Sequence, residues 1–145
     1  MNSQQIVCTS CNSINRIPAD RLSDKPKCGK CKQLLFMGKV VDLSSKNIAS
    51  VMNKTDIPVI VDCWASWCQP CQQFAPIFDK ACKELEPKAR FAKLNTEVNQ
   101  SIAARWRIQS IPSLLVFRQG KEIARTTGAL PLVQLKKWLK EVKAI

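Results

Sequence analysis

The feature that most constrains this chain is an apolar run, Pro58-Val59-Ile60-Val61-Asp62-Cys63-Trp64, which leads through Ala65-Ser66-Trp67 into Cys68-Gln69-Pro70-Cys71. A run without polar alternation is the pattern of a strand covered on both faces, as in a parallel sheet between helices. The residues that follow change to helical period, with Phe74, Ile77, Phe78, Ala81, Cys82 and Leu85 on one face over 69–86. Pro70 falls in the first turn, where a missing N–H costs nothing, and Pro76 is placed to kink the helix. A buried strand feeding a helix that opens on two cysteines makes the fold α/β.

The flanking segments extend this pattern. Residues 39–42 read as a short strand, and Ser44 as the N-cap of a helix to about residue 53. Residues 90–95 read as a strand, 99–106 as a short helix, and 113–117 as a second continuously apolar strand. Gln119-Gly120 turns the chain into 122–126, as in a hairpin, and 131–143 form a last helix with Leu132, Leu135, Trp138, Leu139 and Val142 on one stripe. The order β-α-β-α-β-α-β-β-α predicts a mixed central sheet with helices on both faces.

With 145 residues, 46% hydrophobic and 23% charged, the chain can bury one core and carry a small attachment, which excludes general disorder and two equal domains. No apolar run approaches the roughly 18 residues a membrane span needs, and residues 1–11 lack a basic and an apolar signal region. The expectation is a cytoplasmic monomer with no membrane partner.

Eight cysteines are many for a reducing compartment, so metal binding or redox chemistry is the leading reading. The chain has no His, which excludes a His-assisted cysteine nucleophile, a Ser-His-Asp triad and any His-containing metal site. The formal charge of +12 favours acidic partners. Its interleaving with acidic and apolar residues is that of a solvated surface and argues against dedicated nucleic-acid binding.

Cys8-Thr9-Ser10-Cys11 and Cys28-Gly29-Lys30-Cys31 have the paired C-x-x-C spacing of structural zinc sites. Four thiolates leave no open coordination position, so one zinc held by Cys8, Cys11, Cys28 and Cys31 is structural. Two disulfides, free thiols or an iron–sulfur centre would use the same residues; the reducing compartment and the polar, turn-rich stretch between the pairs favour zinc as a staple. Residues 1–36 are read as this module and 37–145 as the α/β domain. Removal of the metal is expected to unfold residues 1–35 and leave the rest largely intact.

Cys68 and Cys71 carry different chemistry. At a helix N-terminus the Cys68 thiolate is stabilised, which makes it the nucleophile; Cys71, one turn on and more covered, suits a resolving thiol. Cys63 and Cys82 are not spaced to complete a second metal site and read as small core residues. Asp62, a carboxylate inside an apolar strand, is costly without a role or a partner, and burial raises its pKa.

The segment Val61-Asp62-Cys63-Trp64-Ala65-Ser66-Trp67-Cys68-Gln69-Pro70-Cys71 resembles the active site of thioredoxins. The resemblance continues through Ala75-Pro76, Lys93-Leu94-Asn95, Ser110-Ile111-Pro112-Ser113, Phe117-Arg118-Gln119-Gly120 and Gly128-Ala129-Leu130, and with the four-cysteine module in front it extends to the zinc-binding bacterial thioredoxin 2 type. It implies a thioredoxin fold, reduction of disulfide-containing protein substrates by dithiol–disulfide exchange, and recycling by an NADPH-dependent thioredoxin reductase. It further implies that Asp62 relays the proton of Cys71 with Lys93 tuning it, and that Ile111-Pro112 is the cis-proline site. Trp67, Gln69, Pro70, Ile111, Pro112 and Ala129 would then meet the substrate. Gln69 stands where thioredoxins usually have Gly, and Ser110 and Ser113 where they have Gly and Thr. A residue between the cysteines tunes thiolate against disulfide, so two alternatives stand beside the reductase: an oxidase or isomerase tuned by Gln69, and a zinc-ribbon module binding nucleic acid or an acidic protein on a thioredoxin scaffold.

Overall fold

The computed structural model describes residues 2–145. Its first element is a hairpin that the sequence reading did not contain: β1 (Ser3–Val7) pairs antiparallel with β2 (Ile14–Pro18), followed by a 3-10 turn at Ala19–Arg21. The remaining elements follow the predicted order: β3 (Val41–Asp42), α1 (Ile48–Asn53), β4 (Val59–Trp64), α2 (Gln69–Leu85), β5 (Arg90–Asn95), α3 (Gln100–Arg105), β6 (Ser113–Arg118), β7 (Lys121–Thr127) and α4 (Leu132–Glu141).

Five of these strands form one sheet in the order β3-β5-β4-β6-β7. Strands β3, β5 and β4 run parallel, and β6 and β7 pair antiparallel beyond β4. The central strand β4 is thus covered on both faces, as its apolar run, broken only by Asp62, requires. Alternation along it assigns the faces: Val59, Val61 and Cys63 join a cluster with Val51 and Met52 of α1 and Ile102 of α3, while Ile60 joins Phe74, Phe78 and Ala81 of α2 and Leu135 and Leu139 of α4. Asp62 shares the parity of Ile60 and so points toward α2.

Two helix boundaries differ from expectation. Helix α1 begins at Ile48, because residues 45–47 form a turn. Ser44 still organises that turn: its Oγ accepts from Lys46 N at 3.2 Å and its carbonyl from Ile48 N at 2.9 Å. Helix α4 closes at Glu141, earlier than predicted, and the chain continues through Lys143 at positive φ. Pro76 lies inside α2, which remains one helix.

The hairpin does not stand apart from the sheet. Val7 packs into the α1/α3-side core, and Ile6, Leu35 and Ile57 form a smaller cluster with Cys8 and Cys28. Asp56 closes a two-bond clasp on Gln5, with Gln5 N donating to the Asp56 carboxylate and Asp56 N to Gln5 O. The first residue of β5, Arg90, is 2% exposed and donates to Glu86 at 2.9 Å, to Leu35 O at 2.9 Å and to Val7 O at 3.4 Å. Its guanidinium also lies 4.6 Å from the centre of the Phe36 ring. Glu86 accepts in addition from Gly38 N. Burial pushes the Glu86 carboxyl up and the Arg90 guanidinium down, and each charge opposes the shift of the other. Such a pair is stable only when its remaining hydrogen-bonding positions are filled, and here the N-terminal backbone fills them.

Candidate active site and metal centre

The C-terminal end of β4 delivers Trp64 and Ala65 to a tight bend that opens α2. Cys68 is the N-cap: its backbone is extended, and its Sγ accepts from Cys71 N at 3.2 Å. Cys68 and Cys71 are joined by a disulfide with a Cα–Cα distance of 5.2 Å. Both are buried among Ala65, Trp64 and Ile111. The unpaired N–H groups and dipole of the helix start stabilise negative charge on the cap sulfur, so the reduced Cys68 is the better thiolate of the two.

Three chain segments converge on this pair. Ile111-Pro112 is cis, and the Ile111 carbonyl oxygen lies 3.8 Å from Cys68 Sγ. Gly128 N donates to Pro112 O at 2.9 Å, which sets the exposed Ala129 beside the proline. Trp67 is 71% exposed next to the disulfide, whereas Trp64 is half-buried against it. Gln69 and Pro70 are exposed in the first turn of α2.

Beneath Cys71 lies a cavity of about 130 Å³ lined by Asp62, Trp64, Cys71, Gln72, Ala75 and Lys93. Asp62 is 4% exposed, and its Oδ1 has no hydrogen-bond partner among the described residues. Burial raises its pKa to about 7, against the pull of the Lys93 ammonium and with a smaller push from Asp79. Lys93 is placed by register, paired directly with Asp62 across β4 and β5. The cavity is large enough for water to connect the carboxyl with the Cys71 sulfur. By contrast, burial pushes Cys63 and Cys82 up to about 12, which keeps them protonated and inert inside the two core layers.

The second cysteine cluster is built by two knuckles. The Sγ atoms of Cys8, Cys11, Cys28 and Cys31 all lie within 4.8 Å of one another. The Cys8–Cys31 and Cys11–Cys28 separations are both 3.6 Å. Bonds of about 2.3 Å to a tetrahedral zinc require sulfur–sulfur edges of roughly 3.8 Å, so the four thiolates fit one such ion. Backbone N–H groups already point at the sulfurs, Ser10 N to Cys8 and Lys30 N to Cys28. Asn15 of β2 braces the second knuckle, donating to Cys28 Sγ and accepting from Gly29 N. The Cys31 N–H and the Asn15 side chain lower the Cys28 thiol to about 6, while Cys31, against the pull of the Gln33 N–H, is pushed up to about 11 by burial and the neighbouring sulfurs, so the four sulfurs share their charge unevenly until a cation joins them.

The family model described as Thioredoxin matches residues 39–141, and the one described as Thioredoxin 2, N-terminal matches residues 7–33. The chain belongs to the thioredoxin family. It is 39% identical over 134 residues to Thioredoxin C-3 of Corynebacterium nephridii, covering 92% of each chain. It is 35% identical over 105 residues to a thioredoxin of Haemophilus influenzae, covering 72% of this chain and 98% of the relative. A thioredoxin of Chlorobaculum thiosulfatiphilum is 38% identical over 104 residues, again 72% of this chain and 96% of the relative. As a member of this family the protein is a thiol–disulfide oxidoreductase that reduces protein disulfides. No helix among the described residues is long and apolar enough to cross a membrane.

Sequence reasoning passed over Arg90, Glu86, Ser66 and Glu97. An arginine opening the apolar stretch Arg90-Phe91-Ala92 was a usable signal of a buried partner. Nothing local marks the other three.

Proposed function

We propose that the protein reduces substrate disulfides through Cys68 and Cys71, with Asp62 as the proton acceptor of Cys71. The observation that carries this reading is the succession of three groups: the helix-capping Cys68 sulfur, Cys71 within the first turn of the same helix, and the buried Asp62 carboxyl that shares a small cavity with Cys71. The Cys68 thiolate attacks one sulfur of the substrate disulfide; a Cys68–substrate disulfide forms, and the other substrate sulfur leaves as a thiolate and takes up a proton. The Cys71 thiol passes its proton to Asp62 and attacks Cys68 Sγ, which expels the second substrate thiolate. The protein is oxidised by two electrons and the substrate becomes a dithiol. Lys93 moderates the Asp62 pKa from the neighbouring strand.

Trp67, Gln69, Pro70, Ile111, Pro112 and Ala129 form the contact surface for an extended substrate segment, with the Ile111 backbone nearest the reacting sulfur. The chain has no nucleotide-binding glycine motif, so electrons come from a partner; an NADPH-dependent thioredoxin reductase fits the family, in the cytoplasm. One zinc held by Cys8, Cys11, Cys28 and Cys31 supplies structural stability to residues 1–36, and Arg90 couples that module to the domain over 37–145. The test is insulin reduction driven by dithiothreitol. Strong catalysis by the intact chain that Cys68→Ser abolishes supports the reading; a rate no faster than dithiothreitol alone refutes it.

A further inference from the structure

The bend between β4 and α2 carries Trp67, an aromatic side chain 71% exposed and therefore held by little packing of its own. Its position is inherited from the backbone on either side. On one side Cys68 is fixed by the helix start, with its N–H donating to Ala65 O. On the other side stands Ser66, whose polar groups are all engaged. Its N–H donates to Glu97 Oε1 at 2.6 Å, its hydroxyl donates to the same oxygen at 2.7 Å, and its carbonyl accepts from Gln72 Nε2 at 2.7 Å.

Glu97 comes from the turn after β5, far from Ser66 in sequence. It is itself set in place, because its N–H donates to Asn95 Oδ1 at 2.8 Å and its carbonyl accepts from Gln100 Nε2 at 3.1 Å. Next to it, Thr96 bonds Trp64 O through both its N–H and its hydroxyl. The turn after β5 thus grips the active-site bend at Trp64 and at Ser66, and the carboxylate supplies two charge-assisted bonds, the stronger kind. The Ser66 hydroxyl and N–H in return hold the Glu97 carboxyl below the ordinary glutamate range.

We propose that Glu97 is a positioning residue for protein substrates: by holding Ser66 it presents Trp67 as a fixed platform beside Cys68. This rests on the reductase reading above. A protein segment that lies across Trp67 and Ile111 gains from a surface already in place, since ordering the bend at the moment of docking would subtract from binding. A small disulfide needs only the Cys68 sulfur, which the helix cap fixes independently. Glu97 therefore acts on one substrate class and not the other.

The experiment compares Glu97→Ala, Glu97→Gln and Ser66→Ala in the full-length protein with two substrates, insulin and hydroxyethyl disulfide. Glu97→Ala should raise KM for insulin by about three- to tenfold with kcat within about twofold, and leave the hydroxyethyl disulfide rate unchanged. The amide oxygen of Glu97→Gln can accept both Ser66 bonds and should restore KM to within about twofold of wild type; Ser66→Ala, which keeps the N–H bond, should fall between. Amide exchange at Ser66 should accelerate in Glu97→Ala. An unchanged insulin KM, or parallel losses on both substrates, overturns the proposal. If the unmutated chain itself fails to reduce insulin, the reductase reading fails instead.

Discussion

Replacing Asp62 by Asn should make the protein more stable at neutral pH and almost unchanged near pH 4. In the unfolded chain the carboxyl has its ordinary value of 3.8, and in the fold burial raises it to about 7. The native state therefore holds this proton more tightly than the unfolded state does. Where both states are protonated, at the acidic end, the group costs nothing. As pH rises from about 4 to about 7 the unfolded state ionises first, and stability falls. The gap is roughly 3 pKa units at about 1.36 kcal/mol each, or about 4 kcal/mol, lost in full above pH ~7.5. Asn keeps the shape and removes the ionisation, so the gain at pH 8 should be about 3 kcal/mol after the cost of a buried amide. Urea unfolding followed by tryptophan fluorescence at about pH 4, 6 and 8 reads this difference, and urea leaves ionic strength constant. All other carboxylates cancel in the comparison of wild type with variant. A difference between the two proteins that is the same at pH 4 and pH 8 would refute the assignment of the raised pKa to Asp62.

The same Asp62→Asn variant should slow release of the second substrate thiol at pH 7 by at least about tenfold while leaving the first attack by Cys68 unchanged; a rapid-quench measurement of the mixed disulfide separates the steps. Arg90→Met should cost about 3–5 kcal/mol, because it leaves the Glu86 carboxylate and two backbone carbonyls buried without their donor, and Glu86→Gln added to it should recover part of that loss in a double-mutant cycle. Stripping zinc from the loaded protein with a chelator should lower the thermal midpoint of the whole chain and not of residues 1–36 alone. Circular dichroism melts with and without chelator check it; an unchanged midpoint for the larger domain would show that the Arg90 contacts transmit nothing.

What the sequence revealed divides by the range of the cause. The run from Pro58 to Trp64 announced a central strand because burial on both faces leaves a local mark, and the period of Phe74, Phe78, Ala81 and Leu85 announced α2 in the same way. Cys68 at the helix start and Asp62 inside the apolar run were legible for that reason too. The β1–β2 hairpin was not, since Ser-Gln-Gln-Ile-Val and Ile-Asn-Arg-Ile-Pro are short and lack a clean alternation, and Ile6 and Val7 are covered by distant parts of the chain while Ile14 stays exposed. Expectation and structure also part over residues 1–35. They read as a stapled appendage, and they dock through Val7, Leu35 and Gln5 onto groups more than fifty residues away. Glu97 was illegible for the same cause, because its meaning is its distance from Ser66 in space and nothing in its neighbourhood along the chain.

Arg90 holds the N-terminal strand and the Leu35 turn by their carbonyl oxygens, and every residue type carries one. The latch reads the path of the backbone and is blind to the side chains that travel along it. The side chains at those positions answer to packing instead, Val7 in the core of the larger domain and Leu35 in the cluster with Ile6, Ile57, Cys8 and Cys28. The attachment of the ribbon therefore has two parts, a backbone latch supplied from inside the larger domain by Arg90 and Glu86 and an apolar seat that Val7, Leu35 and Ile57 must keep filled.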